Sequence, residues 1–206
     1  MMGEIGFCRS DGMPNLPRMF VPGVSLHVRQ RGNNRCAIFG DDEDHESYLL
    51  MLQSAMQRYH VDVHGFTLMT THAHLLLTPS TTDGASLAMK RLGGRYVLYF
   101  NRKYGRVGTL WTGRFRAKPI LDERYWLTCL RYIEQNPVRA KIAVLPEQYR
   151  WSSYRAHAFG EAIDWLSSHP VLEGLDATNA ERQAAYRAFC ATPTTVAETV
   201  RQRFED

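Results

Sequence analysis

Acidic residues are missing from one long stretch of this chain. From Gly84 to Leu121 there is no Asp or Glu, while Lys90, Arg91, Arg95, Arg102, Lys103, Arg106, Arg114, Arg116 and Lys118 stand among Tyr96, Tyr99, Phe100, Tyr104, Trp111 and Phe115. A solvated helix face ordinarily mixes both signs. Cations alone, interleaved with rings, suit phosphates and unpaired bases. The overall net charge of +4 hints at this only faintly, because acids elsewhere offset the window. Cysteine is sparse: Cys8, Cys36, Cys129 and Cys190 are widely spaced and form no CxxC pair, which argues against a zinc ribbon or a disulfide framework. No apolar run reaches membrane-spanning length. The stretch Met1 to Asn15 has no basic segment followed by an apolar one, so no secretory signal is expected and the cytoplasm is the default location.

What is present fits one domain with a real core, 44% hydrophobic over 206 residues. Residues 1–18 read as a loose leader, within which Met13, or Met19 just after it, could be the true start. Val24, Leu26 and Val28 alternate with Ser25, His27 and Arg29, as in a strand. Asp41 to Asp44 precede an amphipathic run and read as a helix N-terminus rather than a metal site. His60–Met69 and His72–Thr78 read as neighbouring strands. Asp83-Gly84 opens a helix weakened at Gly93-Gly94 and stopped near Gly105. A strand is expected near Arg116–Ile120, and Asp122 should cap a helix running to Pro137, which sets its boundary. The order β-α-β-β-α-β-α suggests an α+β, ferredoxin-like (RRM-like) antiparallel sheet with helices on one face. Thr178 and Glu181 form a capping box that begins a last helix reaching about Cys190. The resulting division is 1–18 leader, 19–156 main domain and 157–206 a mostly helical extension.

Two short segments could carry chemistry. In a strand, His72 and His74 share one face and leave Ala73, Leu75 and Leu77 to the other. Two neutral imidazoles can hold a divalent cation, although most such pairs bind nothing. On the helix after Asp122, Trp126, Leu130 and Ile133 form an apolar stripe, with Cys129, Tyr132 and Asn136 on the adjacent one. Tyr132 and Asn136 lie one turn apart. A phenol can act as a nucleophile and an amide oxygen as a metal ligand, but a core-edge aromatic and a helix cap would look the same. Arg95, Arg102, Arg114 and Arg116 are the candidate phosphate contacts. Metal ligands, an oxygen nucleophile and a nucleic-acid surface together describe a DNA strand-cleaving enzyme.

The chain also resembles the HUH single-tyrosine transposases, in particular the group that includes the REP-associated tyrosine transposases. The matching text is His72-Ala73-His74 with Leu75-Leu76-Leu77-Thr78-Pro79, then Leu110-Trp111-Thr112-Gly113-Arg114-Phe115, then Arg131 to Ala140, with Val28 to Asn33 and Trp151-Ser152-Ser153-Tyr154 also familial. The likeness covers roughly residues 18 to 156. It implies the ferredoxin-like fold with both histidines on a central strand, Tyr132 as nucleophile, and His72, His74 and Asn136 as ligands of Mg²⁺ or Mn²⁺. In some relatives a glutamine replaces the asparagine. The implied substrate is single-stranded DNA beside a hairpin, cut and rejoined through a 5′-phosphotyrosine. Two other readings stay open: a non-catalytic single-strand DNA- or RNA-binding protein, and a metal phosphodiesterase that activates water. The sequence leaves open whether one chain acts alone or a homodimer exchanges its tyrosine helices.

Overall fold

The computed structural model describes residues 18–192. The leader up to residue 17, Cys8 within it and the last residues from 193 lie outside the described residues. Four strands form one antiparallel sheet in the order β2-β3-β1-β4, where β1 is Leu26–Arg31, β2 Val61–Met69, β3 His72–Pro79 and β4 Arg116–Pro119. The register pairs Arg29 with His74 and Arg31 with His72 across β1 and β3. Helices α1 (Asp42–Arg58) and α2 (Gly84–Lys103) cover one face. Their apolar sides bury Tyr48, Leu52, Ala88 and Leu92 against Val28, Ala73, Leu75 and Leu77. This is the ferredoxin-like arrangement.

The other face is covered by α3 (Glu123–Glu134), capped as expected by Asp122, whose carboxylate accepts from the Tyr125 amide at 2.8 Å. Trp126, Leu130 and Ile133 of α3 join Leu76 in a second apolar cluster. The alternation of β3 therefore works as the sequence implies: Ala73, Leu75 and Leu77 face α1 and α2, while Leu76 faces α3. Strand β2 reaches the same end differently. A bulge between Val63 and Gly65 shifts its phase, so Val61 and Val63 face the first core and Phe66 and Leu68 face it again further along. Gly65 lies where a Cβ would stand 2.4 Å from Leu130 Cδ1, so the close seat of α3 on β2 requires glycine there.

The helix that carries Tyr132 ends earlier than Pro137 implies. Gln135 closes α3, and a separate single-turn helix α4 (Asn136–Arg139) takes Pro137 into its first turn, where a missing N–H costs nothing. Beyond it, residues 151–153 run along the open edge of β2: the Leu68 amide donates to the Trp151 carbonyl at 2.9 Å and the Ser153 amide to the Phe66 carbonyl at 3.0 Å. Helices α5 (Tyr154–Phe159), α6 (Pro170–Glu173) and α7 (Asn179–Ala191) then pack onto the outer side of α3. The capping box of Thr178 and Glu181 starts α7. Cys36, Cys129 and Cys190 are free thiols.

Candidate active site

The space between β3, β1 and α3 gathers His72, His74, Tyr132 and a residue not singled out from the sequence, His27. The His74 ring lies 5.0 Å from that of His72 and 5.0 Å from that of His27, centroid to centroid. The Tyr132 ring stands 5.8 Å from both His27 and His74, edge to face. His27 Nε2 and His74 Nδ1 share a hydrogen bond of 2.8 Å, buried from solvent. His72 Nδ1 meets the Thr71 hydroxyl at 3.0 Å. Both candidate ligands thus have Nδ1 engaged, which leaves Nε2 as the donor atom toward a metal.

The electrostatics favour neutral imidazoles. Burial pushes His72 down to about 4, helped by Arg31 and Arg29, and pushes His27 down to about 3, helped by Arg29 and Lys118. His74 lies well below the ordinary histidine value, first through burial and then through His27, His72 and the same arginines. An imidazole must be unprotonated to ligate, so the fold prepares the form a cation needs. Asn136 follows Tyr132 by one turn. Its Nδ2 donates to the Tyr132 carbonyl at 2.9 Å and more weakly to that of Ile133 at 3.4 Å. The amide nitrogen therefore caps the end of α3, and the carbonyl oxygen is the end suited to ligation. Among the described residues, no group of three or more His, Cys, Asp or Glu side chains is placed to hold a metal. Two imidazoles and an amide oxygen could together make a mixed donor set of the kind that suits a divalent cation of intermediate hardness.

Tyr132 is only 9% exposed, and the exposed Arg139 places its guanidinium 4.8 Å above the phenol ring. On the opposite side of α3, Glu134 is wholly buried and accepts from Ser153 Oγ (2.5 Å) and Tyr186 Oη (2.5 Å), and its carboxylate also meets His157 Nδ1 at 2.7 Å. Arg131 donates to the Phe189 carbonyl at 2.8 Å, and Gln135 to that of Cys190 at 2.7 Å. The outer side of the tyrosine helix is thereby held by α7.

Arg114 and Arg116 line a groove of about 290 Å³ together with Arg29, Arg31 and Thr112. Since Arg29 and Arg31 pair with His74 and His72, this basic groove begins beside the histidines. Arg95 and Arg102 lie apart from it, on the exposed side of α2, in the layer across the sheet. The structure thus divides the four arginines into two pairs. The signal for Arg29 and Arg31 was available in β1, where they share the period of His27, but only the register with β3 brings them to the site.

A family model for IS200-like transposases matches residues 20–136, more than half the chain. Sheet, buried histidines and tyrosine helix lie within that span. The chain belongs to the IS200-like transposase family, a family of DNA-cleaving enzymes. Among solved structures it is similar to a REP-associated tyrosine transposase bound to a REP hairpin, with a TM-score of 0.59 at 18% identity, covering 76% of this chain and 93% of that one. A protein described as a candidate transposase from Deinococcus radiodurans R1 matches at 18% identity over 66% of this chain and 95% of its own, with a TM-score of 0.41. The tRNA(His) guanylyltransferase of Saccharomyces cerevisiae matches at 13% identity over 94% and 90%, with a TM-score of 0.46; neither of these two superposes closely enough to carry weight. No curated protein matches. Among the described residues, no helix is long and apolar enough to cross a membrane.

Proposed function

We propose that the protein cuts and rejoins single-stranded DNA through a covalent link to Tyr132, with a divalent cation held by His72, His74 and Asn136. The observation that carries this reading is the meeting of the Tyr132 ring with the face of His74, beside His72, under a roof made by the tyrosine's own helix. When bound, Mg²⁺ or Mn²⁺ would supply Lewis-acid chemistry at the scissile phosphate, and the nitrogen ligands favour Mn²⁺. The protein's own groups do the rest. With His74 ligating through Nε2, its Nδ1 carries the proton and donates to His27 Nε2, which fixes the tautomer and the ring plane.

Tyr132 Oη attacks phosphorus in line. A tyrosyl O–P bond forms, the P–O3′ bond breaks, the phenol proton is released, and the departing oxygen takes up a proton to become a 3′-hydroxyl. Arg139, over the ring, stabilises negative charge as it develops on the phenol oxygen. The 5′-phosphotyrosine retains the phosphodiester's energy, so an incoming 3′-hydroxyl can reverse the step and join strands. The arginine groove beside the histidines suits the strand's phosphates. The hairpin carried by the solved relative supports a substrate in which single-stranded DNA adjoins a hairpin.

The test is an adduct assay. Labelled single-stranded DNA from the flanks of the protein's own gene is incubated with Mn²⁺ or EDTA and run on a denaturing gel. A metal-dependent shifted band is expected from the wild type and none from Tyr132→Phe, which should bind the same DNA undiminished. An adduct formed by Tyr132→Phe would place the nucleophile elsewhere. Cleavage by that variant with no protein attached to the product would favour a water-using phosphodiesterase, and binding by the wild type without any adduct would favour a binding protein.

A further inference from the structure

Gln30 follows Arg29 on β1 and therefore points to the opposite face of the sheet. There it lines a cavity of about 370 Å³ between α2 and the segment that leads into β4, with Trp111 and Phe115 on one side, Gly93 and Gly94 on the other, and Lys90 and Arg114 among its lining residues. Its volume falls in the range of sites that take a small organic ring system. Gln30 is 6% exposed, and its Oε1 is wholly buried without a hydrogen-bond partner. Buried amides normally bond on both ends. No hydrogen bond holds this Oε1, so rotation about the last torsion can turn the amide to an entering ligand without breaking one there.

The walls are firm. The Trp111 indole donates to the Gly93 carbonyl at 3.1 Å, Trp111 bridges to Gly32, and the Thr112 hydroxyl donates to the Gly32 carbonyl at 2.7 Å. The paired glycines keep the helix side open. A Cβ on Gly93 would come within 3.1 Å of Gln30 Nε2 and 3.3 Å of Trp111 Nε1, whereas one on Gly94 would meet nothing. Two adjacent glycines mid-helix cost stability, and here Gly93 lets α2 approach Gln30 and Trp111 closely while Gly94 stands at the open rim. Arg114 borders both this cavity and the arginine groove on the other side of the segment.

We propose that the cavity receives one unpaired nucleobase of the strand whose phosphates run through the arginine groove, with aromatic rings at its wall and the Gln30 amide reading its edge. Aromatic walls give contact to any base, and an amide adds a preference among them. The inference rests on the single-strand reading above, and the experiment separates the two. Fluorescein-labelled oligo(dA), oligo(dC) and oligo(dT) are titrated with the full chain over a range of salt concentrations.

Gly94→Leu, which adds a bulky side chain at the rim of the cavity and favours helix, should weaken binding of all three about tenfold while leaving the slope of log affinity against log salt unchanged. Gln30→Leu should level the ranking of the three and melt no lower than the wild type. If both variants bind with wild-type affinity and ranking, the cavity takes no base and the proposal falls while the single-strand reading stands. A slope that falls in Gly94→Leu would make the cavity part of the phosphate track and would equally overturn it. A wild type that binds none of the three would sink both readings.

Discussion

His27 is buried at the centre of the sheet with its Nε2 2.8 Å from His74 Nδ1. In the proposed site His27 orients a metal ligand without touching the metal, and such a residue acts on cation affinity more than on fold. His27→Phe should therefore raise the Mn²⁺ concentration needed for half-maximal adduct formation about 10- to 100-fold, measured by metal titration of the cleavage assay. An unchanged titration would reduce His27 to packing. The same burial makes the histidines a source of acid sensitivity. His27, His72 and His74 all titrate below the ordinary value of 6.5 in the folded chain, His27 at about 3, His72 at about 4 and His74 well below the ordinary value, with burial the first cause for each. Between pH 6.5 and 4 the unfolded chain thus binds more protons than the folded one, and stability falls as pH falls through that window. Replacing His72 with Gln should flatten the decline by about 1.4 kcal/mol per pH unit at most, a change visible in urea unfolding at pH 5 against pH 7. Equal slopes would mean that His72 titrates normally.

At the scale of elements, strand periodicity was legible in the sequence because it is local: the split of β3 into a histidine face and an Ala-Leu-Leu face follows from alternation alone. The caps at Asp122 and Thr178 were legible for the same reason. The bulge at His64 was not, since nothing in the local alternation of β2 marks the phase shift from Val63 to Phe66. Helix α3 ends at Glu134, short of Pro137, because Pro137 fits the first turn of α4 as well as it ends a helix. Of the site residues read from the sequence, the structure brings His72, His74 and Tyr132 together. The site was not legible in His27, which needs the β1–β3 register, or in Glu134, whose partners Ser153, His157 and Tyr186 are distant in sequence. Glu134→Ala removes the buried carboxylate that Ser153, Tyr186 and His157 share and should cost about 3–5 kcal/mol. Tyr186→Phe removes a single bond to the carboxylate and should cost about 1.5–3 kcal/mol. Chemical denaturation of both variants checks the order, and a near-neutral Glu134→Ala would show that the buried network contributes nothing net.

For the whole molecule, charge is organised by the sheet. Arg29, Arg31, Arg114 and Arg116 meet in one groove beside the histidines, whereas Arg95 and Arg102 occupy the far layer. Neutralising Arg31 and Arg116 to Gln should lower the log–log salt slope of single-strand binding by about one for each phosphate that is no longer paired with a cation. Changing Arg95 and Arg102 should move the slope less. The reverse ranking would put the strand's path over α2. Sequence composition pointed to the basic window as a unit, and the fold divides it, because α2 and β4 place their cations on different layers.

The hold of α7 on the outer side of α3 bears on how two copies could share an active site. Arg131, Glu134 and Gln135 tie the tyrosine helix to Phe189, Tyr186 and Cys190 of the same chain, and Ser153 ties it to β2. Lending that helix to a neighbour would mean either breaking these bonds or carrying everything from α3 to α7 across as one block. The first route runs through partial unfolding of this region, and the second moves α3 to α7 together, so neither exchanges the tyrosine helix by itself.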